Sequence, residues 1–329
     1  MTALSGLRRR RDGDTSVVLE QTRRWRPTRP VPLTTILWPL RRGTGDPAFR
    51  VVAGDVWRTT RTPDGPVTLQ VNADAATGEV TGRAWGPGAG WALDSLPAML
   101  GDADDAADEF AAVHAARHPF LRRAHRMHPH WRVPRSGLVH EALLAAVLEQ
   151  KVTGQEAWAG WRSLLRRFGD PAPGPGEVMG LRVLPAPEVV CRIPSWEWLR
   201  MPVDPARSRA AIAASKLAAS LERTLSLPGQ DAERALCSVP GVGVWTAAEV
   251  RQRAHGDADA VSFGDYHVPG MIGHTLTGTT TTDAEVADLL EPFRPHRYRI
   301  QRLVELCGTR PPRHGPRMAP RRHLPGSYR

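Results

Sequence analysis

Cysteine is scarce in this 329-residue chain: Cys191, Cys237 and Cys307 are the full set. Three widely spaced thiols cannot build a disulfide framework, and no C-x-x-C pair offers a metal knuckle. A four-cysteine iron–sulfur cluster is excluded by count. Lysine is scarcer still, with Lys151 and Lys216 alone against 42 arginines. No apolar run reaches the length of a membrane-spanning helix. Arg8 to Arg11 are followed by no apolar stretch, which predicts the absence of a secretory signal. A reducing cytoplasm is the expected compartment, with no membrane partner.

The net charge of +10 is unevenly spread. Residues 1–30 carry eight arginines against three acids, and residues 310–329 carry six arginines and no acid. That leaves residues 31–309 with a net charge of −1. The basic excess therefore lives in the tails, where it would add phosphate affinity. It says little about the body of the protein.

Hydrophobic residues make up 41% of the chain, enough for a substantial core. Residues 1–20 and 309–329 read as disordered basic tails. Residues 21–105 read as a β-rich domain. From Leu33 to Trp85 the signals are for strands, notably Phe49–Val52, Val67–Val71 and a hairpin return over Val80–Trp85 after Thr77-Gly78. Residues 106–308 read as helical. Asp102 to Glu109 is expected to begin a helix, its acids suiting an N-terminus. Val139, Leu143, Ala146 and Val147 share one apolar helix face, with Glu141 and Glu149 opposite. A helix is expected over Gly154–Phe168, and Asp204-Pro205 opens a long one to about Leu225. Thr282 to Glu285 forms a capping box, and Ile300, Leu303, Val304 and Cys307 mark the core face of a last helix. The fold class is α+β, mostly helical.

The informative stretch runs from Asp231 to Gly270. Asp231 is expected to cap a short helix ending near Ser238. Pro240-Gly241-Val242-Gly243 then leads into a second helix at Trp245. Two glycines one residue apart permit a very tight turn and leave backbone N–H groups uncovered at a helix start, which suits phosphate. An ordinary helix–turn–helix connection would look the same. Further on, Asp265 lies in a Gly-containing loop, Ser262 to His267, before another helix. Taken alone, it reads as an N-cap.

Together these pieces resemble the helix-hairpin-helix DNA glycosylase superfamily. Its motif is Leu-x-x-(Leu/Phe/Val)-Pro-Gly-(Val/Ile)-Gly, a helix, and then an aspartate. Here the residues are Leu236-Cys237-Ser238-Val239-Pro240-Gly241-Val242-Gly243, followed by Asp265. The bacterial 3-methyladenine DNA glycosylase II branch is the most similar in wording: its Pro-Gly-Ile-Gly-x-Trp-Thr-Ala is matched by Pro240 to Ala247. Ala146 to Thr153, Arg200-Met201-Pro202 and Arg207 to Ala210 are similar to further segments of that branch. The resemblance runs from about Ala124 to Gly308, with the hairpin at 231–254.

The resemblance implies excision of a damaged base from double-stranded DNA, with the nucleotide flipped out of the helix. It implies a monomer without a cofactor, associated with the nucleoid. Gly241, Gly243 and Thr246 would grip phosphate, with a monovalent cation at the carbonyls of Val239 and Val242. Gln150 and Lys151 align with the loop that wedges into the duplex; Lys151 could equally be a surface lysine on phosphate. Asp265 would be the catalytic carboxylate, stabilising an oxocarbenium-like transition state and the attacking water. Lyase-competent relatives carry a lysine at the position of Trp245, so a monofunctional enzyme for alkylated purines is implied. Trp245 and Tyr266 match aromatic pocket positions. Glu249 and Glu305 stand where that branch presents aromatics, and each reads either as a solvated helix residue or as an acid facing the base. A non-catalytic DNA-damage-binding protein is the alternative.

His114, His118, His125, His128 and His130 lie close in sequence, but without a cysteine or acid among them they read as surface and loop histidines rather than metal ligands. Of the eleven tryptophans, Trp196 and Trp198 sit near the expected pocket and read as core.

Overall fold

The computed structural model describes residues 19–310. The expected basic tails therefore lie almost entirely outside the described residues. Five antiparallel strands form the N-terminal sheet: β1 (Glu20–Trp25), β2 (Phe49–Val52), β3 (Asp55–Thr62), β4 (Gly65–Ala73) and β5 (Val80–Trp85), in the order β1-β5-β4-β3-β2. The hairpin at Thr77-Gly78 is present, joining β4 to β5 in register from Ala73 opposite Val80. Asp74 closes its loop by accepting from Ala76 N–H and the Thr77 hydroxyl, both at 2.8 Å.

Helix α1 (Ala89–Met99) covers one face of this sheet. It approaches so closely that a Cβ on Gly82 of β5 would stand 2.5 Å from Leu96. The sheet core is completed from far along the chain by Trp131, Val133 and Tyr298.

The strand expectations need three corrections, the first being that β1 begins at Glu20, ahead of the region read as strands and within the expected tail. Leu33–Leu37 is a helix, because Leu33, Ile36 and Leu37 bury one helical face. Strand β3 was not foreseen. Its arginines hide the pattern: Arg58 is 4% exposed and paired with Glu141 of the helical part.

The rest is helical apart from a two-stranded ribbon pairing Asp170–Pro171 with Arg182–Val183; its main helices are α2 (Pro119–Met127), α3 (Val139–Glu149), α4 (Gly154–Phe168), α5 (Pro205–Lys216), α6 (Gly229–Cys237), α7 (Val244–Val250), α8 (Val268–Thr277), α9 (Asp283–Leu290) and α10 (Arg297–Cys307). Both α4 and α9 start with complete capping boxes, Thr153 with Glu156 and Thr282 with Glu285. Asp204 caps α5 by accepting from the N–H groups of Ala206 and Arg207. That helix ends sooner than expected, with Leu217 separating it from a short helix at Ala218–Glu222. Asp231 does not cap α6, which already begins at Gly229; its carboxylate pairs with Arg234 instead. Asp102 and Asp104 precede the helix that starts at Ala107, and Asp104 accepts from Val133 N–H and pairs with Arg299.

Helix α3 is buried on every side from Val139 except at Glu141 and Glu149, so it is a central rod rather than an amphipathic surface helix. Its first two N–H groups are accepted by the Glu222 carboxylate, each at 2.9 Å. On the same helix, His140 donates from Nε2 to Ser215 Oγ at 2.9 Å, because the Ser215 hydroxyl hydrogen is already given to Ala211 O. Burial drives the His140 pKa down from 6.5 to about 4, against the weaker pull of Glu141 and Glu188. Between those two values the unfolded chain binds the extra proton, so stability is full above pH 6.5 and falls as the pH drops toward 4. This one group accounts for roughly 3 kcal/mol over that window. Thermal melts from pH 7 to pH 4.5 should show a falling Tm, with a shallower slope in His140→Gln. An unchanged slope in that variant would contradict the assignment.

Candidate DNA-facing site

The hairpin between α6 and α7 is built by its backbone. Val242 N–H donates to Val239 O at 3.0 Å across Pro240 and Gly241, and Gly241 has φ +86°. Proline second and a positive-φ glycine third make a type II turn. Gly241 also lets the hairpin sit on α5, since a Cβ there would stand 2.8 Å from the Ala210 Cβ. Gly243 differs: its φ is −107° and a Cβ there would meet nothing within 4 Å. Both glycines are exposed. The hairpin therefore presents bare backbone at the start of α7, whose first N–H groups lack intrahelical acceptors.

Gln150, at the end of α3, reaches across to this turn. Its Nε2 donates to Gly241 O at 2.8 Å and to Thr246 Oγ1 at 2.9 Å. Thr246 is 2% exposed. These two side chains brace the hairpin from the protein side. Thr246 is closed off from solvent, whereas Gln150 is half-buried. The next residue, Lys151, is exposed and holds a left-handed backbone, φ 51°. A non-glycine residue there is strained by about 1–2 kcal/mol, a feature that clusters at functional loops. Val239 and Val242 are buried, and the Val239 carbonyl already accepts from Val242.

Asp265 is half-buried in the loop before α8. Its Oδ1 accepts from His267 N–H at 2.7 Å and Val268 N–H at 3.1 Å, and its Oδ2 accepts from Trp245 Nε1 at 3.1 Å. The carboxylate is thus pinned both to the start of α8 and to the first turn of α7. Trp245 is the aromatic residue the structure brings to Asp265. Tyr266 is not brought there: its side chain is 92% exposed and packs edge-on against His267. Adjacency to Asp265 in sequence does not carry it inward, because the loop turns between them.

Glu249 is not a solvated helix residue. It is 8% exposed, accepts from Ser262 Oγ at 2.6 Å and pairs with Arg253 at 2.7 Å. The Ser262 hydroxyl also accepts from Gln252 at 2.8 Å and from Gln301 at 3.2 Å, so its one donor and two acceptor sites are filled. Gln301 continues to Glu305 at 2.9 Å, whose other oxygen takes Arg302 at 2.8 Å. The two glutamates are therefore ends of one polar chain that is buried at Glu249 and reaches the surface at Glu305, an exposed residue of α10. Burial opposes the charge of Arg253, but Glu249, Glu149, Tyr298 and Glu305 outweigh it and raise its pKa. Arg42 meets Glu149 from the sheet side at 3.5 Å. Sequence reading passed over Gln252, Arg253, Ser262 and Gln301. They sit on three segments, and no spacing links them.

Trp198 is core at 1% exposure, whereas Trp196 is 61% exposed. Among the described residues no helix is long and apolar enough to cross a membrane.

No family model and no curated protein matches this chain. Solved structures do. A 3-methyladenine DNA glycosylase from Archaeoglobus fulgidus superposes with a TM-score of 0.70 at 17% identity, covering 86% of this chain and 97% of that one. MBOgg1, in complex with a low-affinity DNA ligand, gives 0.62 at 15% identity over 80% and 88% of the two chains. The 8-oxoguanine glycosylase/lyase of Clostridium acetobutylicum gives 0.58 at 12% identity over 79% and 98%. The likeness is one of fold. This chain has the α+β fold of the helix-hairpin-helix DNA glycosylases, a helical core carrying an N-terminal antiparallel sheet.

The two hairpin glycines should respond differently to alanine. Gly241→Ala combines a positive φ with a collision against α5 and should destabilise by about 1–3 kcal/mol. Gly243→Ala should stay within about 0.5 kcal/mol of wild type. Urea denaturation of the two variants checks this; equal effects would contradict the turn geometry.

Proposed function

We propose that this chain is a monofunctional DNA N-glycosylase that flips a damaged purine out of the duplex and hydrolyses its glycosidic bond. The observation that carries the reading is the pinned carboxylate of Asp265 beside Trp245, one helical turn from an exposed backbone hairpin. In this reading the hairpin amides hold backbone phosphate and set position, not sequence. Lys151 enters or borders the gap left by the flipped nucleotide. As the C1′–N bond breaks, positive charge builds on the sugar. Asp265 stabilises that charge and orients the water. Trp245 has no amine with which to attack C1′, and the two lysines of the chain, Lys151 and Lys216, are surface residues on other elements. This supports hydrolysis without strand cleavage.

The pocket wall supports alkylated purines for a different reason than stacking. Trp245 supplies one aromatic face, and Glu249 and Glu305 place negative charge on the polar chain behind it. An alkylated purine is cationic, so both the ring face and the acids attract it. The partner is double-stranded DNA bearing such a lesion, met by a monomer in the cytoplasm.

A second reading has one observation in its favour. Both Asp265 oxygens already accept protein hydrogen bonds, as in a purely structural cap. A hairpin protein that binds damaged DNA without cutting would look the same at this residue.

Single-turnover base release separates the two. With Asp265→Asn, excision should fall at least about 100-fold while duplex affinity changes little; retained excision would sink the catalytic role, and absence of release from wild type would favour the binding protein. Borohydride should trap no covalent adduct with DNA. Glu249→Gln should slow release of 3-methyladenine and 7-methylguanine by about tenfold relative to hypoxanthine and 1,N6-ethenoadenine, the equivalent of roughly 1.4 kcal/mol. A uniform loss across the four lesions would show that Glu249 acts on stability rather than on substrate charge.

A further inference from the structure

Away from the hairpin, the chain enters the helical domain through a short helix, Ala107–Glu109, that widens into a π-helical turn over Phe110–His114. The widening has a geometric effect. In an α-helix the fifth residue along lies well over a third of a turn away, but i→i+5 hydrogen bonding brings it back over the first. His114 is thereby carried to the side of Glu109. Opposite them stands His296, just before α10, with a fully buried side chain. One nitrogen from each ring and one Glu109 oxygen all lie within 4.8 Å of one another. The ring centroids of the two histidines are 5.2 Å apart, and His296 Nε2 is 3.9 Å from Glu109 Oε2.

These imidazoles lack the partners that buried histidines ordinarily have. Both ring nitrogens of His296 and Nδ1 of His114 are buried without a hydrogen bond among the described residues. An unsatisfied buried polar atom costs about 1–3 kcal/mol, and an ion at the site is one of the few arrangements that removes the penalty. Phe110 and Phe293 hold the rings: Phe110 is 5.5 Å from His296 and 6.2 Å from His114, and Phe293 is 6.0 Å from His114. Burial, then Arg299 and His114, depress the His296 pKa to about 4, so its ring is neutral, the ligand form, at ordinary pH. Two arginines face the rings: Arg299, beside His296, is paired with Asp104 at 2.6 Å, and Arg117, beside His114, donates to Pro292 O at 2.9 Å. The Glu109 side chain is 58% exposed, which leaves a path from solvent and room for a water.

We propose that Glu109, His114 and His296 form a divalent-metal site of the His₂Glu type, suited to Zn²⁺, with water as the fourth ligand. Two imidazoles and one carboxylate are a borderline donor set, which favours zinc over magnesium or calcium. Zn–N and Zn–O distances near 2.0–2.2 Å place tetrahedral ligands roughly 3.4 Å apart, so the three groups close in slightly on binding. The exposed Glu109 side chain supplies most of that movement. The site ties the segment before α2 to the start of α10. Because α10 carries Gln301 and Glu305, the metal stiffens the polar wall without touching Asp265. The histidines of residues 114–130 read as non-ligands in sequence because the acid and the second imidazole lie outside that window, at 109 and 296.

The test uses the full-length chain with no polyhistidine tag, stripped with EDTA and titrated with Zn²⁺. About one equivalent of zinc should bind and survive gel filtration, with a rise in Tm of several degrees. Glu109→Gln changes a solvent-facing group and should leave the metal-free Tm unchanged while weakening Zn²⁺ affinity at least tenfold. His296→Gln should abolish the zinc-dependent rise. Failure to bind zinc, or undiminished binding in Glu109→Gln, overturns the proposal, the latter by assigning the zinc to other surface histidines. If His296→Gln does not fold, the Glu109→Gln titration decides alone.

Discussion

The architecture depends on burying α3 from all sides. Val139, Leu143, Leu144, Val147 and Leu148 are each about 0–1% exposed, and each side chain so removed from water contributes about 1.5–3 kcal/mol. A helix this apolar cannot satisfy its own ends, so polar groups from elsewhere are recruited. Glu222 takes the first N–H groups, and Gln150 leaves the last turn to hold the hairpin. Toward the sheet, Glu141 meets Arg58 and Thr60 of β3, and Glu149 meets Arg42. Through these contacts one rod fixes the position of both the sheet and the hairpin.

The second organising feature is the polar chain from Arg253 through Glu249, Ser262 and Gln301 to Glu305. Buried polar groups rigidify a structure only when every member is satisfied. Here the Ser262 hydroxyl is saturated, and the amides of Gln252 and Gln301 are both engaged. The chain joins α7, the loop before Asp265 and α10. It therefore holds the carboxylate loop against two helices with charge and hydrogen bonds rather than with aromatic packing.

Much of this was legible in the residues. Local signals act over a few positions, and they fixed the capping box at Thr282, the Asp204-Pro205 helix start, the hairpin at Thr77-Gly78 and the Pro240 to Gly243 turn. Asp265 could be singled out only through the family resemblance, since taken alone it reads as an N-cap. Errors came where burial depended on a distant partner. Strand β3 was hidden because Arg58 looks like a surface residue until Glu141 neutralises it. Asp231 looked like a cap until the helix began two residues earlier. Tyr266 looked inward by analogy and points out.

The sequence by itself determined the starts of α4, α5 and α9 and the turn chemistry, because each rests on the φ/ψ limits and short-range hydrogen bonds of neighbouring residues. Only the tertiary structure decided which polar side chains are buried and with whom. Glu249 is linked to Glu305 across 56 positions, Gln150 meets Thr246 across 96, and His296 meets Glu109 and His114 across more than 180. Charge compensation between such groups is a property of packing, and no local pattern encodes it.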